Sequence, residues 1–201
     1  MLLRHRRGVW RAKKYRGQRG LKLNLGCGKN NRAGWVNIDL CSNGPDVQLD
    51  LRETLPFDEG SVSLIYNEHF FEHIAFPDDV KPLLENFFRV LEPGGVMSMG
   101  VPDAEAGLKA YVEDGGKRLR GGRAPWFPDW CDTPMHQINY VFRQINEHQY
   151  AWDLETLSQV LRQAGFVEVE RREWNAALDS PAWKGTDTLY VKARKPGAAA
   201  K

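Results

Sequence analysis

The sequence predicts an α/β domain, a doubly wound and mostly parallel sheet with helices on its faces. From residue 21 onward, short apolar runs alternate with Gly-rich turns and with segments whose apolar residues recur at the helical period. The early runs end in polar residues, as strands do where they emerge at the ligand-binding edge of an open α/β sheet. The 201 residues, 42% hydrophobic and 27% charged, suffice for one domain with its own core.

Residues 1–20 read as a basic extension, with eight Lys and Arg and no acid. This leaves 20 cations against 26 acids in the rest of a chain whose formal charge is +2. Such a stretch either draws a polyanion or is a solvated terminal helix, with Trp10 and Tyr15 packed on the domain, or plain disorder; the bland readings are preferred. Residues 21–25, 36–40, 46–50 and 62–66 are the first four strands, the third of them short. Val80, Leu83, Leu84, Phe87, Phe88 and Leu91 share one face of a helix between Pro77 and Leu91, which Glu92-Pro93-Gly94-Gly95 stops. A fifth strand covers 96–101. Asp153 caps a further helix that buries Leu154, Leu157, Val160, Leu161 and Ala164 and ends at Gly165. Residues 166–170 and 189–194 are the last strands, so the domain spans 21–195 and 196–201 is a tail. Residues 103–150 form an insertion too long for a plain connection. They hold a Gly-rich turn at 115–122, the aromatics Trp126, Phe127, Trp130, Tyr140 and Phe142, and His136 and His148. A substrate lid and a small packed subdomain are its two readings.

No run approaches the roughly eighteen apolar residues of a membrane helix, and no apolar segment of secretory type opens the chain. Cys27, Cys41 and Cys131 cannot all pair and lie in no CxxC spacing, so free thiols in a cytoplasmic protein are expected.

Leu23-Asn24-Leu25-Gly26-Cys27-Gly28 is followed eleven residues after Gly28 by Asp39, at the end of the second strand. Glycines after a first strand let the backbone approach a ligand, and an acid ending the neighbouring strand accepts hydrogen bonds from ribose hydroxyls. A dinucleotide loop would need glycine where Asn31 stands, and no GxxxxGK followed by Ser or Thr occurs. A nucleoside ligand without nicotinamide is the consequence.

Together with 49–74 (LDLRETLPFDEGSVSLIYNEHFFEHI), LEPGG at 91–95 and LSQVLRQAGFVEVE at 157–170, the loop resembles the class I S-adenosylmethionine-dependent methyltransferases of the type 11 group, over about residues 21–194. The resemblance implies a Rossmann-like, seven-stranded methyltransferase fold with an antiparallel last strand, and S-adenosylmethionine as methyl donor. It puts Gly26, Cys27 and Gly28 at the methionine part of the cofactor, Asp39 and Leu40 at the ribose, Asp50 and Leu51 at the adenine, and Asn67 and Glu68 near the sulfonium. Two departures stand out: Asn24 occupies a position usually acidic, and the helix between the first two strands is cut down to NNRAGW.

A sulfonium methyl is already activated, so the protein chiefly aligns the acceptor and removes its proton. His69, His73 and His136 are the candidate catalytic residues. His69, Glu72 and His73, at i, i+3 and i+4, would share a face of a helix. Their HxxEH string also occurs in inverted zinc peptidases, but it follows a strand here and lacks the long helical frame and third ligand of such a site. A divalent cation held by these three with His136 as distant ligand is the less favoured reading. The favoured one has no metal: Glu72 and His73 fix the helix start and His69 alone faces substrate. No Asn/Asp-Pro-Pro-aromatic segment of amino-group DNA methylation follows the fourth strand, and no Pro-Cys pair of cytosine C5 chemistry follows any strand. An oxygen on a small molecule or sugar is the expected acceptor, since LNLGCG close to WVNID in a short chain resembles methyltransferases associated with bacterial surface glycans. The alternatives are an RNA methyltransferase using the basic extension and a catalytically silent scaffold.

Overall fold

The computed structural model describes residues 2–41, 44–113, 115–117 and 127–197. Six strands form one sheet: β1 (Leu21–Leu25), β2 (Val36–Ile38), β3 (Val62–Glu68), β4 (Leu91–Pro102), β5 (Val167–Arg171) and β6 (Thr188–Arg194), in the order β2-β1-β3-β4-β6-β5. β1 pairs in parallel with β2 and β3, and β3 with β4. β6 runs antiparallel between β4 and β5. The mostly parallel, doubly wound prediction with an antiparallel last strand is met.

Among the described residues the count is six where seven were expected. The predicted strand at 46–50 reduces to one parallel bridge, Ile38 with Val47. Asp46 explains part of this, because its Oδ2 accepts from both the backbone N–H and Nδ2 of Asn37, at 2.8 Å each, pinning the segment at its start. The basic amino-terminal helix α1 (Leu2–Ala12) explains the rest. It lies on this segment so closely that a Cβ on Gly8 would stand 1.9 Å from the Gln48 carbonyl oxygen, and His5 Nδ1 accepts the Asp50 N–H at 3.1 Å. A packed helix covers the edge that a seventh strand would otherwise have lined. α1 buries Gly8 and Ala12, and Tyr15 meets Phe57 at 6.0 Å, but Trp10 is 69% exposed and does not pack as expected.

α2 (Val80–Val90) buries Val80, Leu83, Leu84 and Phe87 as its spacing predicts, and Val90 as well, whereas Phe88 is half-buried and Leu91, expected on the same face, already belongs to β4. Each such buried side chain stabilises the fold by about 1.5–3 kcal/mol. α3 (Ala104–Glu113) and α4 (Pro134–Arg143) come from the long insertion and meet where Gly107 faces Ile138. α5 (Leu154–Gln163) starts at Asp153, whose side chain accepts the Thr156 N–H at 2.8 Å. The core is continuous from Leu23 and Leu25 through Ile65 and Phe87 to Trp152 and Leu161. Trp126 and most of the predicted turn at 115–122 lie outside the described residues. No helix among those described is long and apolar enough to cross a membrane, and the three cysteines are free thiols.

Candidate active site

At the carboxyl ends of β1 and β2 the chain passes through turns, with no helix between the two strands. Gly26 and Gly28 have φ of +60° and +53°, which glycine adopts without strain. A Cβ on Gly26 would fall 2.7 Å from the Phe70 ring, whereas one on Gly28 would meet nothing within 4 Å. Asp39 ties the loop together: Oδ2 accepts the Gly28 N–H at 3.0 Å and Oδ1 accepts the Cys41 N–H at 2.8 Å. Leu40, next to it, is half-buried. Asn24, standing where an acid is usual, donates to Asn37 Oδ1 and to the Asn30 carbonyl, a neutral link between β1 and the loop.

Burial pushes the Cys27 thiol up to about 12, so it remains protonated and inert. The Asp50 carboxyl is held below its usual range by Arg52, whose Nε and NH2 donate to its two oxygens at 2.9 and 2.7 Å. Leu51 belongs to the core. Asn67 is wholly buried, and neither its Oδ1 nor its Nδ2 has a partner. Glu68 is engaged elsewhere: Tyr190 donates to it at 2.9 Å, the Ser180 N–H also donates to it, and burial raises its carboxyl above the usual range.

Beyond β3 lies a cavity of about 520 Å³. Its walls come from five places: His69, Glu72 and His73 after β3; Pro102, Asp103 and Gly107 at β4 and α3; Phe127; Gln137 to His148 on and after α4; and Trp183 to Thr188 up to the start of β6. The expected helix after β3 is a single 3₁₀ turn, Phe71–His73, because His69 has φ +50° and Ile74 returns to extended backbone. The left-handed residue is uncommon for a side chain and turns the chain sharply out of β3. His69 Nδ1 stands 3.3 Å from Glu72 Oε1 and Nε2 3.2 Å from Thr188 Oγ1, while Trp183 lies over the ring with centroids 3.8 Å apart.

Of the predicted catalytic histidines, His69 and His73 line this cavity. His136 does not: on α4 it bonds Asp132 through Nδ1 at 2.8 Å, half exposed. Its predicted place beside Glu72 is taken by His148, whose Nε2 is 3.9 Å from Glu72 Oε1. Three successive positive-φ residues, Gln144, Ile145 and Asn146, turn the chain back after α4 and bring His148 in. Sequence reasoning also missed Trp183, Thr186 and Thr188, since nothing in their local pattern separates them from an ordinary loop.

Across the wall, Tyr66 donates to Asp179 at 3.1 Å, and Arg172 donates to both Asp179 oxygens at 2.6 Å and to Ser98 Oγ at 2.8 Å. This buried bond set clamps the segment before β6 onto β3 and β4.

Residues 28–99 match the family described as a methyltransferase domain, Methyltransf_11. The fold is that of an S-adenosylmethionine-dependent methyltransferase from Archaeoglobus fulgidus (17% identity, TM-score 0.54, covering 93% of this chain and 92% of that one). One from Mesorhizobium loti is similar (16%, TM-score 0.53, covering 89% and 92%). The chain also resembles Haemonchus contortus phosphoethanolamine N-methyltransferase 2, solved with S-adenosyl-L-methionine (15%, TM-score 0.50, covering 95% of this chain), and spans about half, 52%, of that chain's length. No curated protein matches the sequence.

Proposed function

We propose that this chain, a class I S-adenosylmethionine-dependent methyltransferase, methylates a hydroxyl oxygen of a small polar acceptor, a sugar before others. The observation that carries the reading is His69, held in the cavity wall between a buried carboxylate and a polar corner. Glu72 behind Nδ1 favours the tautomer with the proton on Nδ1, which leaves Nε2 as the basic nitrogen on the side of Thr188. An acceptor hydroxyl taking the place of the Thr188 hydroxyl would give its proton to Nε2 as its oxygen forms the new C–O bond. Aromatic faces of Trp183, Tyr140 and Phe127 suit the C–H faces of a sugar ring, and Thr186, Asp103 and Gln137 suit its hydroxyls.

S-adenosylmethionine supplies the methyl group as a sulfonium, whose leaving group needs no further activation. The residues fit it: Gly28 leaves open space, Asp39 offers a carboxylate, and Asn67 keeps a buried amide without partners. Gly26, Cys27 and Gly28 would hold the methionine part, Asp39 and Leu40 the ribose, and Asp50 and Leu51 the adenine.

The test is incubation of the full chain with S-adenosylmethionine and a panel of sugars, phenols and amines, measuring S-adenosylhomocysteine release. Turnover with hydroxyl acceptors, lost in His69→Ala, supports the reading; turnover with amines alone refutes it. An RNA acceptor has one observation in its favour, a groove of about 640 Å³ lined by Trp10, Arg11, Lys13, Lys14, Pro45 and Asp46. Since α1 is packed, its discriminator is charge removal at Arg11, Lys13 and Lys14, which would abolish salt-sensitive RNA binding. Failure to bind S-adenosylmethionine at all would favour the scaffold.

A further inference from the structure

Proton removal by His69 leaves two other imidazoles of the same cavity without a task. One ligand atom from each of Glu72, His73 and His148 lies within 4.8 Å of the other two. The hydrogen bonds around them identify the free atoms. His73 Nδ1 is 3.1 Å from the Glu147 carbonyl oxygen, and His148 Nδ1 is 2.6 Å from that of Val141. A carbonyl only accepts, so each Nδ1 carries the proton and each Nε2 keeps its lone pair. A backbone carbonyl gripping the far N–H is how a protein orients an imidazole that ligates a metal.

Glu72 is 1% exposed, and neither carboxylate oxygen accepts a hydrogen bond; the His69 contact is close but not aligned as one. A buried carboxylate that accepts no hydrogen bond therefore stands beside two half-buried imidazoles. That arrangement is costly unless a cation occupies it.

We infer that Glu72, His73 and His148 bind one divalent transition-metal ion on the floor of the acceptor cavity. Two nitrogens and one oxygen form a set suited to Zn²⁺, Co²⁺ or Mn²⁺ more than to Mg²⁺. Donors around a tetrahedral Zn²⁺ stand about 3.4 Å apart, so the three side chains close by roughly an ångström on binding. The inference rests on the proposed acceptor site and deepens it: an ion there lowers the pKa of an acceptor hydroxyl bound beside it, and His69, outside the ligand set, takes the proton.

The experiment uses the full, untagged chain after chelator treatment, titrated calorimetrically with ZnCl₂ and separately with CoCl₂, the latter followed by visible absorption. The expected result is one ion per chain at micromolar affinity or tighter, with the intense bands of Co²⁺ in a low-coordinate nitrogen and oxygen site. Glu72→Gln and His148→Ala each weaken binding at least tenfold, while His136→Ala leaves it unchanged. Absence of stoichiometric binding, or only the weak spectrum of hydrated Co²⁺, overturns the site even where a variant fails to fold. Unaltered affinity in both folded ligand variants overturns it as well. Undiminished methyl transfer by the metal-free chain removes the ion's part in the reaction and leaves the hydroxyl reading standing. Stoichiometric binding at these residues without transfer to any hydroxyl keeps the metal site and removes that reading.

Discussion

Around the glycine loop, groups that bond one another are near in sequence: Gly28 reaches Asp39 eleven residues on, and Asn24 reaches Asn37 thirteen on. Around the cavity the separations are ten times larger, 113 from Tyr66 to Asp179, 119 from His69 to Thr188 and 122 from Glu68 to Tyr190. The first region is made by one strand-turn-strand unit and presents mainly backbone and one carboxylate. The second exists only when segments after β3, after α4 and before β6 have all docked. Damage to distant packing should therefore reach the acceptor side first and leave the donor side in place.

The largest expected effect tests whether the two regions separate. His69→Ala should lower kcat by about 10²–10⁴-fold, the usual worth of a positioned base, with cofactor affinity by calorimetry unchanged. A parallel loss of cofactor binding would mean that the turn after β3 serves both. Next is the clamp between them. Asp179→Ala leaves the buried Arg172 guanidinium without its partner carboxylate and should cost about 3–5 kcal/mol in denaturant unfolding. A loss below 1 kcal/mol would show that the cavity wall does not depend on this bond set.

Asp39→Ala works from the donor side. It should weaken S-adenosylmethionine binding at least about tenfold, since charge-assisted hydrogen bonds to the ribose are lost; equal affinity would take Asp39 out of the site. The smallest effect belongs to neither region. Asp153→Ala removes the cap of α5 and should cost about 1 kcal/mol in thermal or denaturant unfolding. Hydrogen bonds from the Thr156 side chain and then from its N–H hold the Asp153 carboxyl below its usual value. Its contribution is thus present above the ordinary aspartate range and is lost as pH falls through the lowered folded value. Wild type and variant should converge in stability under acid, and a difference that persists there would assign the loss to packing.

The sequence alone determined the α/β class with its mostly parallel sheet, the helix faces of α2 and α5, the glycine loop with Asp39, and the presence of His69 and His73 next to β3. All of these rest on spacing within one or two elements, where apolar period, turn chemistry and capping act over a few residues. Only the tertiary structure decided that a basic helix packed through Gly8 would stand in for a seventh strand, that His148 rather than His136 would meet Glu72, and that Trp183 and Thr188 would frame His69. Those outcomes depend on contacts between segments some 40 to 120 residues apart, and a local pattern carries no information about which distant side chain will fill the space beside it.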